Sequence, residues 1–446
     1  MLRIKYSFIL LITLTIQSCL NEIGHDLPVS NEEEWTEAAI HIYCAPSADI
    51  TIGDFEFHLE TIDILAFKLL GNQLYYSFRS LARSVNQSAN GMAEFVTTLR
   101  KDDFKYKIVV LANCRKEIEE VMDQFSSSMK KEEILNLILS GKRDKWGEDS
   151  SYMPMWGESE GIKIEEDTQI DNIYMLRGLA RIDVHILQSA QDIFKLKEVY
   201  LYNRYVQGYV APVESNWDQN PVLDRVVAPT LPVGEVKITE GIKYESESDK
   251  NFISRLYAYE AEGVGLERDL EATCLVLGGK YDTDPSVTYY RVDFKGALEG
   301  GGFISEDGYY DPILRNHLYE INVRSVSDSG YSTPDEAFYN KREDMSVSVQ
   351  TWNMKEVESE IDGNYTLKVS QGAFYIGNSG ITAQKISVNS NHPDSWSMDV
   401  SDSWIQAVKK DNYTLEFDVN PYLLNRSGYI DIKVGNLTKR IKIQQN

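Results

Sequence analysis

Cysteine is scarce in this chain, with four among 446 residues, and no Cys-x-x-Cys pair or adjacent histidine accompanies any of them. Setting Cys19 aside, Cys44, Cys114 and Cys274 are an odd number that cannot pair fully. One disulfide stays open, but each is expected as a small buried hydrophobe rather than a metal ligand. The six histidines, at 25, 41, 58, 185, 317 and 392, are scattered singly. No Gly-x-Ser-x-Gly elbow, His-Glu-x-x-His, phosphate loop or dinucleotide fingerprint occurs, so nucleophilic, zinc and cofactor chemistry lack their usual parts. Positive charge is also in deficit: 45 Lys and Arg stand against 69 Asp and Glu, a net −24. That argues against nucleic acid as a partner, since a phosphate backbone needs clustered cations, and leaves an acidic, self-repelling surface that names no ligand. Long apolar runs are missing too. The longest, Phe8 to Ile16, falls short of the ~20 residues that span a bilayer.

What the chain does contain favours sheet. Hydrophobic residues make up 42% and charged residues 26%, a globular balance, and 27 tyrosines accompany frequent Val, Ile and Thr. The length exceeds what one core usually serves, so several domains are expected.

At the start, Arg3 and Lys5 precede the Phe8 to Ile16 run, which ends in Ile16-Gln17-Ser18-Cys19. This resembles a signal peptide closing in a lipobox: an apolar residue three before a cysteine, a small residue just before it, and no charge. The resemblance implies that the Cys19 thiol takes a diacylglycerol and becomes the mature N-terminus. Acyl chains at ~0.8 kcal/mol per buried methylene then hold the chain to a membrane without spanning it. Residues 1–19 are thus expected as a lipoprotein signal and 20–35, with Glu32, Glu33 and Glu34, as a polar tether.

Strand patterns begin near Thr36: Ile40 and Ile42 alternate, Ile64-Leu65-Ala66-Phe67 runs apolar, and Ile108-Val109-Val110 follows. Between 114 and 140, Ile118, Val121, Met122, Phe125, Ile134, Leu135 and Ile138 recur at helical spacing, predicting one or two helices packed on the sheet. Alternation resumes at Ile182, Val184, Ile186 and continues into Val347 to Trp352. The prolines between 212 and 232 suggest a break, giving β-sandwich domains over 36–205 and 206–354. Acidic Lys355 to Asn364 is expected as a linker. A third, immunoglobulin-like sandwich over 365–446 alternates most cleanly, as in Leu415-Glu416-Phe417-Asp418-Val419 and Ile430-Asp431-Ile432-Lys433-Val434.

Several phrases resemble those of fimbrillin-type subunits, the lipoprotein precursors of type V pili in Bacteroidota. They are Ile62-Asp63-Ile64-Leu65-Ala66-Phe67 with its Gly71-Asn72 turn, Val109-Val110-Leu111-Ala112-Asn113, Pro154-Met155-Trp156-Gly157-Glu158, Leu176-Arg177-Gly178-Leu179-Ala180-Arg181-Ile182-Asp183-Val184, and Arg315-Asn316-His317-Leu318-Tyr319-Glu320-Ile321-Asn322-Val323. Their order and spacing cover about 36–353. The resemblance implies two transthyretin-like sandwiches, export as a lipoprotein to the outer membrane, and assembly with other fimbrial subunits for adhesion and biofilm formation. Neighbouring subunits in that family join when a strand of one fills a groove of the next. The polymerising members lose their first strand to a protease that cuts after Arg or Lys, whereas this chain has neither residue from Leu20 to Phe67. That departure favours an anchor or accessory subunit over a stalk repeat.

Residues 365–446 resemble a BACON-type module, through Asp402-Ser403-Trp404-Ile405, Asn425-Arg426-Ser427-Gly428-Tyr429-Ile430 and Ile441-Lys442-Ile443-Gln444. Asn-Arg-Ser-Gly is expected as a tight turn with Gly428 at positive φ, and Trp404 as a core filler. The module sits at the end from which a stalk subunit donates its strand, a second argument against the stalk role.

The sequence therefore predicts a non-enzymatic pilus component, lipidated at Cys19 and displayed on the outer membrane, whose further partner is a host or bacterial surface receptor or glycan. The alternative is a lipid-anchored glycan-binding surface protein. No catalytic, metal or cofactor residue is assigned. Asp282 and Asp284 are expected as a solvated turn because the other EF-hand positions are absent. Trp156 and Trp396 are expected to be buried rather than to stack on sugars. Paired carboxylates for glycoside hydrolysis are set by spatial separations that sequence does not reveal.

Overall fold

A computed structural model describes residues 34–44, 56, 58–88, 92–147, 152–218, 225–226, 228–234, 237–295, 309–353, 358–362, 365–390, 392 and 394–445. The signal peptide, Cys19 and all but the last two residues of the expected tether lie outside them. The described chain is mostly strand, and its sheets enclose three separate cores.

The first core is built from β1 (Glu34–Cys44), β2 (Ile62–Leu70), β3 (Gln73–Leu81), β4 (Arg83–Gln87), β5 (Met92–Lys101), β6 (Lys105–Ala112), β7 (Met155–Glu158), β8 (Ile162–Lys163) and β9 (Thr168–Arg177). They hydrogen-bond in the order β3-β2-β6-β7-β9-β1-β5-β4, with β8 added to β6. Strands β3 and β4 are consecutive in the chain yet stand at opposite ends of that order, so the sheet folds back until its ends meet. At the seam Thr97 on β5 donates to Leu81 O at 3.1 Å and bonds Ser80 Oγ at 2.8 Å. Closure of this kind hides the edges that would otherwise template foreign strands.

Strand β2 shows why its run is continuously apolar. Ile64 and Ala66 face the first core, while Leu65 and Phe67 face a second layer with Val109, Leu111, Ile118, Ile134, Leu135 and Ile138. A strand buried on both faces keeps no polar alternation. The second layer comes from α1 (Arg115–Glu119) and α2 (Lys131–Leu135), so the helical spacing over 114–140 folds onto the sheet as expected. Turn residue Gly71 sits at φ +62 in the two-residue hairpin between β2 and β3.

The expected boundary at 205 is corrected by the pairing. Strands Ala180–Ile186 and Phe194–Tyr202 bond not with the first sheet but with Asn251–Ala258, His317–Val326, Ile242–Glu245 and Cys274–Tyr281. They join two four-stranded sheets around a core that includes Ile182, Leu196, Leu277 and Ile321. The chain crosses over at Gly178, where an added Cβ would stand 3.2 Å from Pro154 O. In the described part of the proline-rich crossover between 206 and 232, Val210 and Ala211 pack on the helical layer.

Two further expectations change in the third unit. Residues 358–362, expected within a linker, form an edge strand antiparallel to Tyr365–Val369. Edge strands tolerate acidic sequence because only one side of their backbone is paired. The Asn425 to Gly428 phrase is not a positive-φ turn: Arg426–Val434 is a strand, and the positive-φ glycines here are Gly380 and Gly435. Glycine is needed at 428 for close approach, since a Cβ would meet the Trp404 ring at 2.9 Å. Trp404 lies partly exposed over that gap, while Trp396 is the buried tryptophan of this core.

Candidate assembly site

Strand β1 is inserted between two others. It runs antiparallel to β5, from Glu34 opposite Lys101 to Tyr43 opposite Met92, and parallel to β9, from Ala38 opposite Thr168 to Cys44 opposite Met175. Ala38, Ile40, Ile42 and Cys44 point inward with at most 1% exposure, among Phe95, Leu99, Ile108, Ile170 and Ile173. Strict alternation over these residues makes one face core and the other solvent-facing, so a single-residue slip would bury the polar set. Burial raises the Cys44 thiol to about 12, against the lesser pull of Arg177, and the thiol is inert at neutral pH.

The outer face carries its own fastening. His41 Nδ1 meets Asp171 Oδ1 of β9 at 2.6 Å and its Nε2 lies 3.6 Å from Glu94 of β5, so one imidazole spans both flanking strands. At the N-terminal end Lys101 reaches Glu34 at 3.0 Å and Glu166 at 3.3 Å. The hydrogen bonds to these glutamates push its ammonium pKa up. Sequence inspection gave no sign of this cross-strand arrangement, because its partners lie more than fifty residues away.

Taking β1 out would leave a slot with unpaired backbone on β5 and β9 and an open apolar floor. Buried unpaired amides and carbonyls are costly, so the slot demands a strand.

The sequence phrases prove to be fastenings of the fold. Asp63, 1% exposed, accepts from Arg79 at 2.8 Å and Arg115 at 3.0 Å. Asn113, at φ 60, donates to His58 O and Met153 O and accepts from Glu60 and Thr61. Buried Glu158 lies 2.5 Å from Lys107 and 3.0 Å from Lys131. Arg181 clasps Asp183 through two nitrogens and reaches Glu56, to which Tyr257 also donates at 2.9 Å. Charges of this kind survive burial only when paired.

Trp156 and Trp396 are both buried, and neither offers a sugar-stacking face. Asp284 accepts from Ser286 N at 2.8 Å in a turn whose Asp282 has φ 49. Cys44, Cys114 and Cys274 are buried free thiols, so the disulfide left open does not form. Among the described residues no cluster of His, Cys, Asp or Glu is arranged to hold a metal. None of their helices is long and apolar enough to cross a membrane.

No family model matches the chain. It is similar to the major fimbrium tip subunit of Porphyromonas gingivalis, 23% identical over 191 residues, which are 43% of this chain and 32% of that protein. The match thus spans about a third of that relative's length. This similarity bears out the resemblance to fimbrial subunits. Among solved structures, a Bacteroides eggerthii protein provisionally assigned to cell adhesion aligns at 14% identity over 74% of this chain and 97% of its own, with a TM-score of 0.40. A Bacteroides fragilis protein with the same provisional assignment aligns at 9% identity over 74% of this chain and 100% of its own, with a TM-score of 0.30.

Proposed function

We propose that this protein is a non-enzymatic fimbrial subunit, exported as a lipoprotein, anchored in the outer membrane through Cys19, and joined to neighbouring subunits by β-strand complementation in support of adhesion. The observation that carries the reading is β1 itself. It fills a slot between β5 and β9, in a segment without Lys or Arg from Leu20 to Phe67. A protease specific for those residues has nowhere to release it. Such a subunit keeps its slot closed and its lipid attached, which suits an anchor or accessory place rather than a stalk repeat. The similarity to a tip subunit supports a place outside the stalk. So does the third unit, where Leu437–Gln445 is paired on both sides, by Ala373–Ile376 and Arg426–Val434, and is not free to be donated.

Intact mass and N-terminal analysis of native protein from outer-membrane and sheared-fibre fractions tests this. A lipidated N-terminus at Cys19 is expected in the membrane fraction. Recovery from fibres of an unlipidated chain starting beyond Cys44 would replace the reading with a polymerised stalk subunit.

A further inference from the structure

The third unit ends in an exposed apolar tip. In the Asn420 to Asn425 loop, Leu423 is 85% and Leu424 67% exposed, and Tyr422 beside them is 44% exposed. Large apolar side chains so bare on an ordered loop mark contact surfaces more often than chance. The loop is firmly held. Tyr422 N donates to Asn378 O at 2.9 Å, and Asn420 O accepts from Arg426 at 2.5 Å and from Gln445 at 3.2 Å. The Arg426 guanidinium lies 4.2 Å from the Trp404 ring centre and 4.4 Å from that of Tyr422.

We propose that this tip is a membrane-contacting finger that inserts Leu423 and Leu424 into the surface of a phospholipid bilayer. The composition of the tip suits a bilayer surface: bare leucines beside an amphipathic Trp-Tyr pair with a cation, the combination that settles at headgroup level. Charge points the same way. On a chain of net −24, Ile376 to Gln384 carry no charged residue and Asn420 to Gly428 only Arg426. The acids at the base of the tip are Asp402, in the adjoining Ser401 to Trp404 loop, and Asp418, which accepts from Ala383 N at 2.6 Å. This end therefore meets less repulsion at anionic lipid than the rest of the acidic surface does. A protein socket would read directional polar groups at the rim. Here Arg426 is committed to Asn420 O and to Gln445 Oε1 at 2.8 Å. The contact does not depend on a lipid at Cys19.

The test uses the chain from Leu20 onward, which retains every described residue, with vesicles of phosphatidylethanolamine and phosphatidylglycerol. Co-sedimentation is expected, weakened at least tenfold by the double change Leu423→Asp with Leu424→Asp, at unaltered thermal unfolding because both side chains face solvent. An environment-sensitive dye on Leu424→Cys is expected to blue-shift with vesicles, while the same dye on Asp123→Cys does not; the buried native thiols leave labelling selective. Equal sedimentation of both proteins, or no shift at 424, overturns the proposal. Loss of binding to other fimbrial subunits in the double variant, with vesicle binding unchanged, overturns it in favour of a protein contact. None of these outcomes bears on β1 and its slot.

Discussion

The Arg315 guanidinium donates to Glu260 Oε2 through Nε at 2.9 Å and Nη2 at 2.7 Å, with both side chains at most 3% exposed. Arg315 also donates to Val210 O at 2.8 Å and Tyr209 O at 3.1 Å, while Glu260 accepts from Thr230 N. One ion pair thereby ties the proline-rich crossover to the second unit. Replacing Glu260 by Ala leaves a buried cation unpaired, and a loss of about 3–5 kcal/mol is expected from chemical denaturation. Replacing both residues by apolar ones of similar volume should cost markedly less. Equal losses for the single and double variants would contradict this account.

Ile42, two residues from the C-terminal end of β1, has no exposure. Ile42→Ala is expected to cost about 2–5 kcal/mol through lost burial and the cavity left behind. Added peptide of sequence 34–44 should restore part of the stability lost on deleting β1, and a peptide with Ile40 and Ile42 both changed to Asp should not. If neither peptide has any effect, the slot does not accept strands from outside.

Asp102 gives a pH dependence. Burial raises its carboxyl, but hydrogen bonds from Tyr106, Phe104 N and Lys68 outweigh that and hold it below its ordinary 3.8. A depressed folded value means that the charged carboxylate stabilises the fold above 3.8, and that this contribution drains away as pH falls through the lower value. Asp102→Asn should therefore lose less stability than the native chain between pH 4 and pH 2. Denaturation midpoints that stay parallel over that interval would refute the assignment.

Glu320 joins the second unit to the third. Its buried carboxylate lies 3.3 Å from Lys368 Nζ and accepts from Asn389 at 2.9 Å. Glu320→Ala should loosen the third unit, seen as a several-fold faster proteolytic cut between the units with little change in the unfolding of either. An unchanged cleavage rate would show that the attachment rests on other contacts.

Local pattern determined the strands, the helical layer over 114–140, and the burial of Trp156 and Trp396, because period and side-chain type act within a few residues. It also marked where the charged phrases stand. Tertiary structure decided what those phrases do: Asp63, Glu158 and Arg181 became buried ion pairs only once Arg79, Lys131 and Glu56 arrived from elsewhere in the chain. The unit boundary was decided in the same way, since a strand such as Ala180–Ile186 has equal claim on either sheet until His317–Val326 pairs with it. Alternation states which face of a strand is buried; only long-range hydrogen bonding selects the sheet, and that selection made β1 a strand held from both sides.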